Sequence, residues 1–424
     1  MRDVPRSGEL VQIATRLCLA AILVFSASAE AGGMLIYEVG TPDIGYASAG
    51  YAARAEGPAT VLNNPAGMTR LSGAQVEVDV QGVYGHFEFS PDALTTVAGN
   101  NGGNTVGWVP GAAGFASYAL GERLRLGFGV FANFGLGQAW QSAWVGRYYV
   151  TSSNIFGLSI MPAVSYHLVG GLSLGAALNA MYGNLTYQSA INNGGASADD
   201  GAVSVSSTTW GFGGNVGLLY EFAERSRLGL TYTSPVKLNF GAAPMYTNVR
   251  LSGLGTQTLD LGMTVPQTLM LSYYQGLGKE LALMADVGWQ NWKAFGTIEV
   301  QLVDASTPAS LTKNIDYLDT WHGALGAQIM FSDAWQLDLG IAYDSTVTSA
   351  QDRSLPLAIG DEWRFGAGTQ WTLDAHWKLS LAYEFLWGGS PSVDVNRGPL
   401  AGRVSGSYAD TWFQFISFGF NWMS

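Results

Sequence analysis

The chain has 424 residues, a formal charge of −12 and one cysteine, Cys18. An acidic chain of this kind does not suit a nucleic-acid partner, and a lone cysteine near the start excludes a disulfide scaffold and thiol chemistry for the rest. Only 12% of residues are charged and 56 are glycine, about twice the usual glycine share, which fits a wall whose every second residue faces lipid.

The first segment reads as an export signal. Arg2, Arg6 and Arg16 precede the apolar run at 17–25, and Ala27, Ser28 and Ala29 give a small-residue cleavage site before Glu30. An overlapping site would cut two residues later. No later stretch reaches the roughly 20 uninterrupted apolar residues of a membrane-crossing helix. Residues 30–72 do not alternate and are rich in Gly and Ala. Small residues let backbone lie close to a wall, so this segment is expected to be a plug inside a barrel, with a periplasmic tail as the alternative.

From residue 73 onward the pattern has period two. Trp335, Leu337, Leu339, Ile341 and Tyr343 alternate with Gln336, Asp338, Gly340 and Ala342. The stretches at 363–371 and 377–385 repeat this, with aromatic residues ending the apolar faces as they do at the edges of a bilayer. Six connections are very short (121–123, 169–171, 223–226, 278–280, 332–334 and 374–376). Seven are long and polar (90–107, 135–146, 188–207, 241–264, 302–318, 346–360 and 389–408). The expected fold is all-β: a transmembrane antiparallel barrel of about fourteen strands over residues 73–424, with an N-terminal plug. In the last strand Trp412, Ile416, Phe418, Phe420 and Trp422 share a face, interrupted by Gln414. A terminal aromatic is what barrel assembly machinery reads, and here Met423 and Ser424 follow it.

Within the plug stands GYASAGYAARAEGPATVLNNPAGMTRL, residues 45–71. It resembles the FadL family of outer-membrane transporters of long-chain fatty acids and hydrocarbons, whose plug carries an Asn-Pro-Ala element, here Asn64, Pro65 and Ala66. The likeness continues at WVGRYYV from Trp144, TYTSPVKLNF from Thr231, ADVGWQNWKAF from Ala285 and residues 319–387. The resemblance implies a fourteen-stranded bacterial outer-membrane barrel, a hatch, passive movement of apolar molecules, and a kinked third strand beside the hatch.

Asn64-Pro65 makes a rigid turn, and that rigidity serves a structural or a gating role. Arg54 and Glu56 are the charges in the middle of the plug. Inward Asp286, Asp338, Glu384, Arg364, Lys378 and His322 are their possible partners, as ion pairs or as substrate contacts. A fatty acid carboxylate requires a cation or several donors, yet residues 172–207 contain no Lys, Arg or His. Phe131, Phe134, Leu136, Trp140 and Trp144, with Arg147 for a head group, form a candidate landing groove near the outer rim. An aromatic girdle and a loop salt bridge are the alternatives. Gly127 and Gly129 on the third strand are the candidate lateral gate, or simply room for the plug. Inward-facing Gly340 is expected to tolerate Ser. No HExxH element occurs and His86, His167, His322 and His376 show no metal-type spacing, so neither catalysis nor a metal or other cofactor is expected. The expected partners are a hydrophobic small molecule, outer-membrane lipid with lipopolysaccharide, and the assembly machinery. A water-filled porin and a surface receptor or adhesin remain as alternatives.

Overall fold

A computed structural model describes residues 35–194, 199–250, 259–302, 313–314 and 316–424. The predicted signal with its cleavage site, and the first residues of the predicted plug, lie outside them. Fourteen strands form the wall: β1 (Ala74–His86), β2 (Gly107–Ala119), β3 (Leu124–Ala139), β4 (Ser152–His167), β5 (Leu172–Ile191), β6 (Gly201–Ala223), β7 (Ser226–Thr233), β8 (Thr268–Leu277), β9 (Leu281–Gln290), β10 (Thr320–Met330), β11 (Trp335–Asp344), β12 (Glu362–Thr372), β13 (Trp377–Gly389) and β14 (Thr411–Met423). Each pairs antiparallel with the next, and β1 closes on β14 from Gln75 opposite Met423 to His86 opposite Trp412. Ser424 accepts the Ala74 backbone N–H at 2.8 Å, so the last residue fastens the first strand.

Alternation follows from the two solvents. On β11 Trp335, Leu339 and Ile341 are exposed on the outer surface while Gln336, Asp338 and Ala342 are buried in the lumen. Tyr343, Trp363, Trp387 and Trp412 stand opposite one another on successive strands at the long-loop end. Trp335 and Trp371 are partners at the short-turn end. The two belts lie eight residues apart on β11, roughly 20–26 Å after strand tilt, which matches the apolar band of an outer-membrane barrel.

The structure corrects two loops. Residues 135–139 continue β3, and most of 188–207 is strand, because β5 runs to Ile191 and β6 starts at Gly201. Above the bilayer both faces of this hairpin are wet, so Ser204, Ser206, Ser207 and Thr208 pair without an apolar face to mark them. Elsewhere the long loops fold into a cap. The short strands Phe89–Pro91, Arg403–Tyr408 and Ser392–Asn396 form a three-stranded sheet, and Phe89, Trp144 and Tyr408 are fully buried with Val150 and Val404.

Residues 35–72 lie inside the wall. They carry two short helices, α1 (Thr41–Gly45) and α2 (Thr60–Asn63), and a 3₁₀ turn Pro65–Arg70. Pro42 sits in the first turn of α1, where a missing N–H costs nothing, and the Asp43 carboxylate accepts the Gly40 N–H at 3.2 Å. Ile44, Tyr46, Ala47 and Ala49 have no exposed surface.

Candidate functional site

The lumenal segment is short of secondary structure, so its backbone groups need partners from the wall. Asp286 on β9 accepts the N–H groups of Gly50 and Tyr51, both at 3.0 Å. Asp79 and Glu77 on β1 accept those of Thr41 (2.9 Å) and Ala59 (3.1 Å). Ser272 accepts the Ala52 N–H at 2.9 Å. From the other side Arg227 donates to the Ala53 and Arg54 carbonyls at 2.5 Å, Asn215 to Leu62 at 2.7 Å and Arg125 to Leu71 at 2.7 Å. Of these wall groups, sequence reasoning singled out only Asp286. The others carry the same signal, a polar residue on an inward-facing strand position.

Close approach is a second fastening. An added Cβ at Gly340 would lie 1.8 Å from the Tyr46 carbonyl oxygen, and one at Gly217 would lie 1.9 Å from Asn64 Oδ1. The expectation that Gly340 tolerates Ser is therefore corrected: it faces inward, but Tyr46 occupies the space a side chain would need.

Asn64 links hatch and wall. Its Oδ1 accepts the Ala66 N–H at 3.1 Å, capping the turn that Pro65 begins, and its Nδ2 donates to Ala52 (2.7 Å) and to the wall carbonyl of Leu218 (3.0 Å). Arg54 donates to Asp43 and to the Ala49 carbonyl, lies 4.5 Å over the Tyr46 ring, and has Glu56 3.7 Å away. Glu56 in turn accepts from Gln328 on β10 at 2.8 Å. Arg364 donates to Glu38 at 2.5 Å. Asp338 joins the same side through Gln336, which donates to both Asp338 (2.7 Å) and Tyr46 (2.9 Å). His322 pairs with Asp344 at 2.9 Å, and Lys378 reaches Gln370 at 3.3 Å. Glu384 is fully buried.

The six candidate substrate contacts do not form one surface. Trp140 and Trp144 stack at 5.0 Å and 14° inside the cap, and the Trp144 indole donates to the Val150 carbonyl at 2.7 Å. They are core residues of the loops, not an open groove, because the cap buries both indoles. Arg147 is tied to Asp200 at 2.8 Å and to the Ala98 carbonyl at 2.8 Å. Phe134 and Leu136 pack in a lower apolar cluster with Met181, Leu238 and Phe295. Of the six, Phe131 lines the cavity between hatch and wall. Gly127 meets Met68 and Val61 of the hatch, and Gly129 meets Phe115 and Phe131; both lie in the part of β3 that is paired with β2.

That cavity lies where the hatch's first described residues meet the wall, with Leu35, Ile36, Tyr37 and Tyr51 on the hatch side and Phe131, Met161 and Met181 on the wall side. Asn133, Asn179, Thr233, Ser234 and Thr268 supply its polar atoms, and no lining residue carries a charge. The ladder of the wall is broken beside it. β2 and β3 pair only from Ala119 and Arg125 to Ala113 and Phe131. Above that β3 holds β4 through a bulge between Ala132 and Phe134. The hatch occupies the freed edge: the Ile36 N–H donates to the Asn133 carbonyl at 3.0 Å, and Leu35 bridges Phe134. The break thus starts just above the glycines singled out from sequence. A second cavity carries charge, with Asp43, Arg54, Glu56, Glu77 and Lys378 in its lining.

The fold is shared with solved structures. A FadL homologue of Pseudomonas aeruginosa superposes with a TM-score of 0.82 at 17% identity, covering 92% of this chain and all of that one. The Ralstonia pickettii toluene transporter TbuX gives 0.64 at 18% identity, covering 90% and 97%. In sequence, the long-chain fatty acid transport protein of Salmonella typhi is 24% identical over 91% of this chain and 94% of its own length. Outer membrane protein P1 of Haemophilus influenzae is 26% identical over 88% and 89%. The family model described as outer membrane protein transport protein (OMPP1/FadL/TodX) matches residues 22–411, and the chain belongs to that family of outer-membrane β-barrels.

Proposed function

We propose that this protein is a passive outer-membrane channel for hydrophobic small molecules and that its cargo is neutral, an aromatic or alkyl hydrocarbon in preference to a long-chain fatty acid. The uncharged cavity beside the broken β2–β3 ladder carries this reading. Burying a carboxylate without a cation costs several kcal/mol, which offsets the gain from burying roughly four to six methylenes at about 0.8 kcal/mol each. A neutral molecule meets no such cost, and the amides and hydroxyls of the lining still orient an aromatic ring or a substituent.

Release follows the same arithmetic. An apolar molecule sent into the periplasm loses the burial of each methylene, whereas one leaving sideways between β2 and the upper part of β3 stays out of water. Residues 30–72 act as the hatch, with Leu35 and Ile36 as the segment that must leave the β3 edge before the passage opens. Lipid and lipopolysaccharide surround the aromatic belts, and the assembly machinery reads the terminal strand. No step requires covalent chemistry.

Uptake of a radiolabelled alkylbenzene by liposomes carrying the full chain tests the reading. Met181→Trp, which fills the cavity, is expected to cut uptake severalfold while the barrel remains heat-modifiable. Equal uptake by both proteins, or none by the parent, would remove the cavity as the route.

A further inference from the structure

The wall is broken a second time, on the opposite side of β4 and β5 from the β2–β3 break. β6 and β7 pair up to Asn215 and Thr233, and β7 and β8 up to Thr233 and Thr268. Pro235 follows the first strand and Pro266 precedes the second, and neither has the N–H that a ladder would need. Beyond them the chain forms a separate ladder of Val236–Ala242 with Leu259–Val265, which turns onto the inner faces of β5 and β6. Glycines receive it: a Cβ at Gly211 would lie 2.5 Å from Val236 and 2.6 Å from the Lys237 carbonyl, and one at Gly183 would lie 3.0 Å from Leu238.

Among the described residues, β6 regains a ladder partner on this side only at Ala202–Ser204, opposite Met245–Thr247. Between the two ends, residues 205–213 of β6 meet the neighbouring segment through side-chain packing and a hydrogen bond from Ser207 to the Gly241 carbonyl at 2.9 Å. Ser234 closes the lower end through its bonds with Gly214. The height of this seam is set by its outer face. Trp210 packs edge-on against Tyr182 at 5.4 Å, as ring pairs do at head-group level, while Phe212, 73% exposed, and Val216 lie below it toward hydrocarbon. The inner end of the seam is the neutral cavity, since Ser234 and Val236 line both. Above, the loops pack into a cap around the buried Phe89, Trp144 and Tyr408.

We propose that this seam, between β6 and the strand Val236–Ala242, is an entry portal from the outer leaflet. It admits neutral apolar molecules already dissolved in the membrane directly into the cavity, so that they bypass the cap. The proposal rests on the hydrophobic-channel reading above. Opening the seam separates side chains and leaves the barrel's ladders intact, and Val236 and Leu238, seated on glycines, are the groups that must move.

A reversible lock tests it. An added Cβ at Gly213 lies 2.9 Å from Ser234 Oγ, a spacing that suits a disulfide in the double variant Gly213→Cys, Ser234→Cys. Alkylbenzene uptake by cells expressing the full chain is compared in oxidised and reduced states, with heat-modifiability as the check on folding. Uptake by the oxidised form is expected to be severalfold slower than by its own reduced form, and parent uptake is expected to be indifferent to reductant. Equal uptake in the two states, with the parent active, overturns the portal alone; an inactive parent overturns the channel reading and the portal with it. A wedge supplies the second arm: Gly211→Val pushes the Val236 strand away and is expected to raise uptake severalfold, and uptake no higher than the parent's counts against the seam.

Discussion

The wall is built in two ways. From β8 round through β14 to β1 every strand registers on the next, with one irregularity between Trp387 and Gly389. Among the inward groups of this half are the buried charges Asp286, Asp338, Arg364, Glu384, Glu77 and Asp79, set among glutamines, serines and small residues. From β2 to β7 two ladders stop early, at Ala113/Phe131 and at Asn215/Thr233. There the lumen is lined by Phe131, Met161, Met181, glycines and uncharged polar groups such as Ser159, Asn179 and Asn215, with Arg125, Arg227 and Glu221 as charged exceptions that bond the hatch. Both halves hydrogen-bond the hatch, but only the continuous half carries a run of buried carboxylates, and the other offers a neutral cavity beside discontinuous wall. Buried carboxylates and continuity therefore divide along the same line.

The largest expected effect comes from removing the anchored element. Deleting residues 32–72 should leave a heat-modifiable barrel, because β1 and β14 close without the hatch, but polar solutes should then leak freely. A deletion that fails to insert would make the hatch part of the folding core. Gly340→Ser is expected to act in the same direction more weakly, by driving the Tyr46 carbonyl off β11; conductance in planar bilayers reads this, and a closed, parent-like trace would contradict the 1.8 Å approach.

Its neighbour tests the outer face of the same strand. Leu339→Arg places a charge against hydrocarbon and should cost roughly 2–4 kcal/mol near the midplane, measured by folding into liposomes, with no change in conductance. If Leu339→Arg opened the channel and Gly340→Ser destabilised the barrel, the assigned faces would be reversed. A smaller effect is expected for Asp286→Ala, which strips the acceptor from the Gly50 and Tyr51 N–H groups and should loosen the hatch by about 1–3 kcal/mol. Protease protection of the hatch at graded urea would read this loss, and undiminished protection would show that Asp286 is not an anchor.

Strand faces were legible in the sequence because lipid and lumen impose opposite demands on successive residues, as at Leu339 and Asp338. The hatch was legible from the lack of that alternation over residues 35–72. Its fastening was not, since the partners of Asp79, Glu77 and Asn215 are backbone groups whose positions no residue type reveals. Trp140 and Trp144 were misplaced for a related reason: a membrane belt, a landing groove and a loop core all use indole, and only packing separates them. Pro235 and Pro266 are plain in the sequence, yet which ladders they end is decided by strand pairing. Gly127 and Gly129 lie on a strand whose pairing stops early, a few residues short of that break.

The central claim, a lumen built for neutral cargo, is tested most directly by two ligands that differ only in a carboxylate. A straight-chain alkane and the fatty acid of the same carbon number would each compete with a neutral fluorescent probe for the purified full-length protein. The alkane is expected to displace the probe at severalfold lower concentration, because the cavity offers apolar surface and no cation. Displacement by the acid at equal or lower concentration would contradict the account.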